Sequence, residues 1–193
     1  MLKKIAATLL VVGGLAGISA FGAFSIFTST ATNPSNTFST GSVSISTSPA
    51  SAFITFSSMV PGDTTTQSLV VSNDGTLQLR YAITSSATNT DAKGLKDQLV
   101  LTVKTIDVTT PATPCDNFDG TQLYTGDLDD GAGGVLVGSN AQGAQAGDRT
   151  LNASTNETLC FRVNLPSTTG NAFQNATTTA TFTFDAEQTA NNP

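Results

Sequence analysis

Histidine is missing from all 193 residues. That absence removes the Ser-His-Asp and Cys-His nucleophile systems, the usual zinc sites and the paired-histidine metalloprotease helix. Tryptophan is also absent and tyrosine occurs twice, so there is no obvious aromatic platform for sugars or bases. Charge is scarce, at 11% of residues against about 25% in an average globular domain. What charge there is leans acidic, 8 cations against 14 carboxylates, which excludes a nucleic-acid partner because phosphate binding needs a basic surface.

Hydroxyls stand where charge is missing: the chain holds 33 Thr and 19 Ser. Threonine is β-branched and suits a pleated, half-buried surface. The length fits one domain with a core of its own.

The N-terminus has the layout of a secretory leader. Lys3 and Lys4 form a basic start, an apolar run follows from Ile5 to Leu15, and small residues follow that. Ala20-Phe21-Gly22 places small side chains where a signal peptidase inspects them, so cleavage is expected between Gly22 and Ala23. The competing reading is a membrane anchor, since the uncharged run reaches Phe27 and is long enough to span a bilayer. Four glycines in the run and the lack of a basic stop favour cleavage. On that reading the membrane is met only through the leader before cleavage, and the product is secreted, to the cell surface or extracellular matrix.

Beyond the leader, residues 23–31 read as an isolated strand with Phe24 and Ile26 on one face, tethered by Asn33-Pro34-Ser35-Asn36. Period-2 alternation then marks strands. Val43 and Ile45 begin the series, and Ile54 and Phe56 form a short second run. Residues 67–72 follow, and Asn73-Asp74-Gly75 is a hairpin signal with a glycine free to take positive φ. Leu77, Leu79, Tyr81 and Ile83 make the cleanest amphipathic strand. Leu99, Leu101 and Val103, then Leu159, Phe161, Val163 and Leu165, then Phe182, Phe184 and Ala186 complete it. The one plausible helix is 92–98. Residues 109–156 read as a long irregular excursion with short strands near Leu123 and Val135–Val137. About eight short strands with turns between them predict an all-β fold, a jelly-roll-like β-sandwich preceded by an isolated strand. The expected organisation is a signal peptide over 1–22, strand and tether over 23–39, and the sandwich over 40–193.

Four stretches carry a resemblance. Residues 20–25 (AFGAFS) resemble a small-residue cleavage site followed by Ala-Phe; residues 36–43 (NTFSTGSV) resemble a strand entry of the form TFxxGTL. Residues 59–63 (MVPGD) with 72–77 (SNDGTL) resemble a PGD turn and an NxG[ST]L hairpin; residues 182–188 (FTFDAEQ) resemble a closing FxFxAxQ strand. In order and spacing they resemble the TasA/camelysin family of secreted bacterial matrix proteins. The resemblance implies a jelly-roll subunit that polymerises. Its N-terminal segment would complete the sheet of the next copy by donor-strand complementation, with Phe24 and Ile26 as anchors. Folding back onto its own subunit, or disorder, is the alternative for that segment. The implied partners are a second copy and, during export, a signal peptidase.

Chemistry is sparse. No catalytic residue is identified and no enzyme activity is expected, although some members of this family carry a metallo-endopeptidase label. No cofactor is expected. Asp116, Asp119, Asp127, Asp129 and Asp130 are weak calcium candidates, since hard carboxylates on a loop suit that ion, but the EF-hand pattern is incomplete and solvated loop aspartates are the plainer reading. Cys115 and Cys160 suggest a disulfide in an exported chain, with two separate thiols as the alternative. Cys160 falls on the strand face opposite Leu159 and Phe161, which suggests a surface tether. The expected function is a structural subunit of an extracellular filament or biofilm matrix. A monomeric surface adhesin or ligand-binding module is the alternative, and ligand chemistry within 109–156 would mark it.

Overall fold

The computed structural model describes residue 29 and residues 31–130 and 134–192. The expected leader, the cleavage point at Gly22 and Ala23, and the anchors Phe24 and Ile26 lie outside the described residues. The chain divides into two compact units, Met1–Ser39 and Thr40–Pro193. In the first, the described residues are exposed and carry no helix or strand. There the Asn36 side chain donates to the Asn33 carbonyl at 2.7 Å. In this unit, as in the whole described chain, no helix is long and apolar enough to cross a membrane.

The second unit is all-β and built from two antiparallel sheets. Its strands are β1 (Ile45–Ser48), β2 (Thr64–Asn73), β3 (Leu79–Ala87), β4 (Val100–Thr105), β5 (Gln122–Gly126), β6 (Val135–Val137), β7 (Arg149–Leu151), β8 (Asn156–Asn164) and β9 (Ala180–Gln188). One sheet has the order β1-β2-β8-β4-β5. The other centres on β3. β9 lines one edge of β3 from Leu79 to Ala87, and β7 and β6 lie end to end along the other edge.

The alternation seen in the sequence decides which faces meet. Leu79, Tyr81 and Ile83 point inward from β3, and Leu159, Phe161 and Val163 point inward from β8. Leu69 and Val71 of β2, and Leu101 and Val103 of β4, complete a buried core. Each such side chain contributes about 1.5–3 kcal/mol of burial free energy. Phe182, Phe184 and Ala186 pack on this core from β9 but stay half-buried.

Several local expectations change in three dimensions. Asn73-Asp74-Gly75 does not close a hairpin: β2 pairs with β1 and β8, while β3 belongs to the other sheet. The turn is a corner between sheets. Buried Asn73 holds it, donating to the carbonyls of Leu77, Leu151 and Asn152 and accepting from the Gly75 amide. Gly75 is needed for space, since a Cβ there would collide with the Ser42 carbonyl oxygen. The expected helix over 92–98 shrinks to α1 (Leu95–Gln98), because Ala92 and Gly94 have φ of 55° and 70° and cannot extend it. The run at Ile54 and Phe56 is not a strand. Residues 109–156 hold three short strands, one more than the sequence suggested.

Candidate functional site

The sandwich has one closed side and one open side. On the closed side, β5 of the first sheet lies against β6 of the second. On the open side, the outer edge of β9 has no strand partner among the described residues. Opposite it, β1 covers β2 only from Val70 to Asn73, leaving residues 64–69 without a neighbour on that side among the described residues. A sheet edge of this kind presents unpaired amides and carbonyls that another strand can satisfy.

The seam between these two edges is filled from within by residues 53–59. Phe53 stacks edge-on against Phe161, with ring centroids 5.0 Å apart, and lies 5.7 Å from Phe182. Ile54 and Met59 pack on the same core. Phe56 and Val60 point out, 46% and 58% exposed. The period-2 pattern at Ile54 and Phe56 therefore marks one residue turned inward and one turned outward, without a hydrogen-bonded ladder.

The excursion folds over the outer face of the first sheet. Cys115 and Cys160 are joined by a disulfide that spans a sequence separation of 45. Cys160 does face away from Leu159 and Phe161, yet it is not a surface tether. Residues 106–121 cover that face, so Cys160 is fully buried and forms a second small core with Cys115 and Phe118. The Arg162 guanidinium sits 3.7 Å from the Phe118 ring centroid and the Lys104 ammonium 4.8 Å away. Buried Asp107 organises the same loop. Its carboxylate accepts from the amides of Thr109, Thr110 and Asn117 and from the Thr109 hydroxyl. Burial acts to raise this carboxyl, but those hydrogen bonds outweigh it and hold the group well below the usual carboxylate range.

The acidic candidates separate. Asp119 accepts from the Val108 amide at 2.7 Å, Asp116 is exposed, and Asp130 is exposed beside Asp129. Asp127 and Asp129 instead meet Asp97 of α1, which lies some thirty residues upstream and drew no attention in the sequence; the three carboxylates converge within 4.8 Å. The Lys96 ammonium already sits on this cluster, 2.7 Å from Asp97 and 3.1 Å from Asp129. Hydrogen bonds to Asp97 and Asp129 raise its own pKa. Next to them, burial and then the charges of Asp127 and Asp130 push the Tyr124 hydroxyl up to about 12.

A shallow polar hollow lies on the outer face of the second sheet, between β3, β9 and the excursion around Ser139 and Gln142. Three of its charged groups are engaged within the protein, and Asp185 is exposed. Arg80 pairs with Glu187 at 2.6 Å, and Glu187 also accepts from the Gly143 amide. Asp148 accepts from the amides of Ser139 and Gln145.

A family model described as camelysin metallo-endopeptidase matches residues 1–192, and this family includes TasA-like proteins. No curated protein matches the chain. The match supports a secreted or cell-surface protein of structural or matrix character. The metal in the family's description finds no fitting donor set here. Histidine is absent, and the one carboxylate cluster among the described residues already carries a lysine ammonium.

Proposed function

The chain belongs to the camelysin family, and on that premise we propose that it is a structural subunit of an extracellular filament or biofilm matrix, assembled by donor-strand complementation. The observation that carries the reading is the outer edge of β9, nine residues long and without a strand partner among the described residues. Residues 23–31 are also nine and carry no charged side chain, so they suit an edge beside an apolar seam. Phe24 and Ile26 lie two apart and would enter that seam together. One copy donates and the next accepts, so the contact does not close on itself and growth is linear.

On this reading the protein is not an enzyme and needs no cofactor or metal. Its partners are further copies of itself and, during export, the signal peptidase that frees Ala23. The rival reading, a monomeric adhesin, would need ligand chemistry in the excursion. Of the charged groups lining the hollow there, Arg80 and Glu187 pair with each other and Asp148 is held by backbone amides, which weighs against it.

Electron microscopy of purified protein beginning at Ala23, after concentration, tests the reading. Uniform filaments are expected, and deleting residues 23–31 should leave a folded, monomeric domain. Filaments from the deletion protein would sink the mechanism, and stable monomers from the intact mature chain would favour the adhesin.

A further inference from the structure

We propose that residues 53–59 are a removable plug: they guard the seam between β9 and the β1–β2 edge in the free subunit, and residues 23–31 of a second copy expel them on assembly. The proposal rests on the filament reading above and adds a control to it.

The segment is held in an unusual way. Its apolar side chains are inside, with Phe53 set between Phe161 and Phe182 and with Ile54 and Met59 on the core. Its backbone is not tied down. Among the described residues, 49–59 make no hydrogen bond of any kind. Chain that enters a core normally has its amides and carbonyls paired. Here they lie unpaired directly beside a strand edge that is itself unpaired. Side-chain burial alone retains the segment, and that burial is partial, since Phe53, Ile54 and Met59 are each half-buried and Phe56 is 46% exposed.

An incoming strand can offer what the plug does not. Phe24 and Ile26 replace its apolar occupancy, so that part of the exchange is near even. The new strand also gains a ladder along β9, which the plug never makes, and each bond closed there adds to the balance. The plug's ends are fixed, which keeps the movement local. β1 ends at Ser48, and at the other end a turn joins the Asp63 amide to the Val60 carbonyl while the Gly62 amide bonds the Leu165 carbonyl. Between these anchors the segment can swing out without disturbing the sandwich. An empty seam would invite indiscriminate strand addition, and a weakly held filler prevents it while still yielding to the right sequence.

Two measurements on the mature chain test this. The first compares assembly by light scattering for the wild type and for Phe53→Ser with Ile54→Ser, both checked for folding by circular dichroism. The weakened plug should shorten the lag several-fold. The second needs no variant: chymotrypsin should cut after Phe53 faster in wild-type filaments than in fresh monomer. Equal lags with equal cleavage overturn the plug and leave the filament reading standing. A longer lag in the variant also overturns it, because Phe53 would then be a wall of the acceptor. If neither protein assembles, the filament reading fails and the plug goes with it.

Discussion

Tyr81 carries its hydroxyl from β3 of one sheet to a carboxylate on β8 of the other. It is 1% exposed and donates to Glu157 at 2.8 Å, and Glu157 is ion-paired with Arg149 of β7. Burial and then the Glu157 charge raise the tyrosine pKa, so the hydroxyl stays protonated and donating. Tyr81→Phe removes the donor and leaves the half-buried Glu157 carboxylate with Arg149 as its remaining partner. The expected loss is about 1.5–3 kcal/mol, the range for a hydrogen bond to a charged group, read from urea denaturation. The inward direction of Tyr81 is legible in the sequence, because Leu79 and Ile83 alternate around it. Its partner is not legible. Glu157 lies 76 residues away, and nothing local tells which distant carboxylate a buried tyrosine will meet. The same limit hid Asp97 from the acidic cluster.

Among the elements, long strands announce themselves by alternation, and short ones only by local apolar clusters. β3, β8 and β9 each run nine residues, enough for alternation to repeat. β6 and β7 have three residues each, too few for any period: β6 is expected from its Val-Leu-Val run, while β7 is not, and both pair along the same edge of β3. The corner at residues 73–75 shows a different limit. Local chemistry calls for a turn, but which sheet the chain enters afterwards is decided by pairing with residues far along it. The loop 106–121 is likewise invisible as structure in the sequence, yet Asp107 gives it a fixed shape. Because that carboxyl is held below its ordinary value, its stabilisation is complete above about pH 4, the unfolded value, and is lost as pH falls below it toward the folded value. The melting temperature should therefore drop between pH 4 and pH 2.5. Asp107→Asn should start lower at pH 7 and drop less over that interval, as thermal denaturation at the three pH values will show.

For the whole molecule, the two sheets and their sandwich arrangement are readable from strand count and alternation, whereas the open side is not. Edges are a property of assembled sheets, and no residue type marks which strand will end up outermost. If assembly follows the proposed course, donor and acceptor surfaces can be disabled separately. A mature chain carrying Phe24→Asp and Ile26→Asp keeps its acceptor edge but cannot donate, because a charge buried without a partner is costly. Mixed into wild-type protein at a small molar fraction, it should shorten filaments out of proportion to its amount. Average filament length measured by electron microscopy checks this, and unchanged length at equal total protein would count against one-way donation.

The disulfide beneath residues 106–121 has a kinetic consequence. Cys160 is 0% exposed and Cys115 6% exposed, so a thiolate reductant cannot reach either sulfur while the loop is down. Reduction must wait for an opening event. At low reductant the rate scales with the fraction of time the loop is open and with the reductant concentration, and at high reductant it levels off at the lifting rate itself. The bridge then acts as a clock for the loop: in strong reductant its lifetime is set by motion of the protein alone.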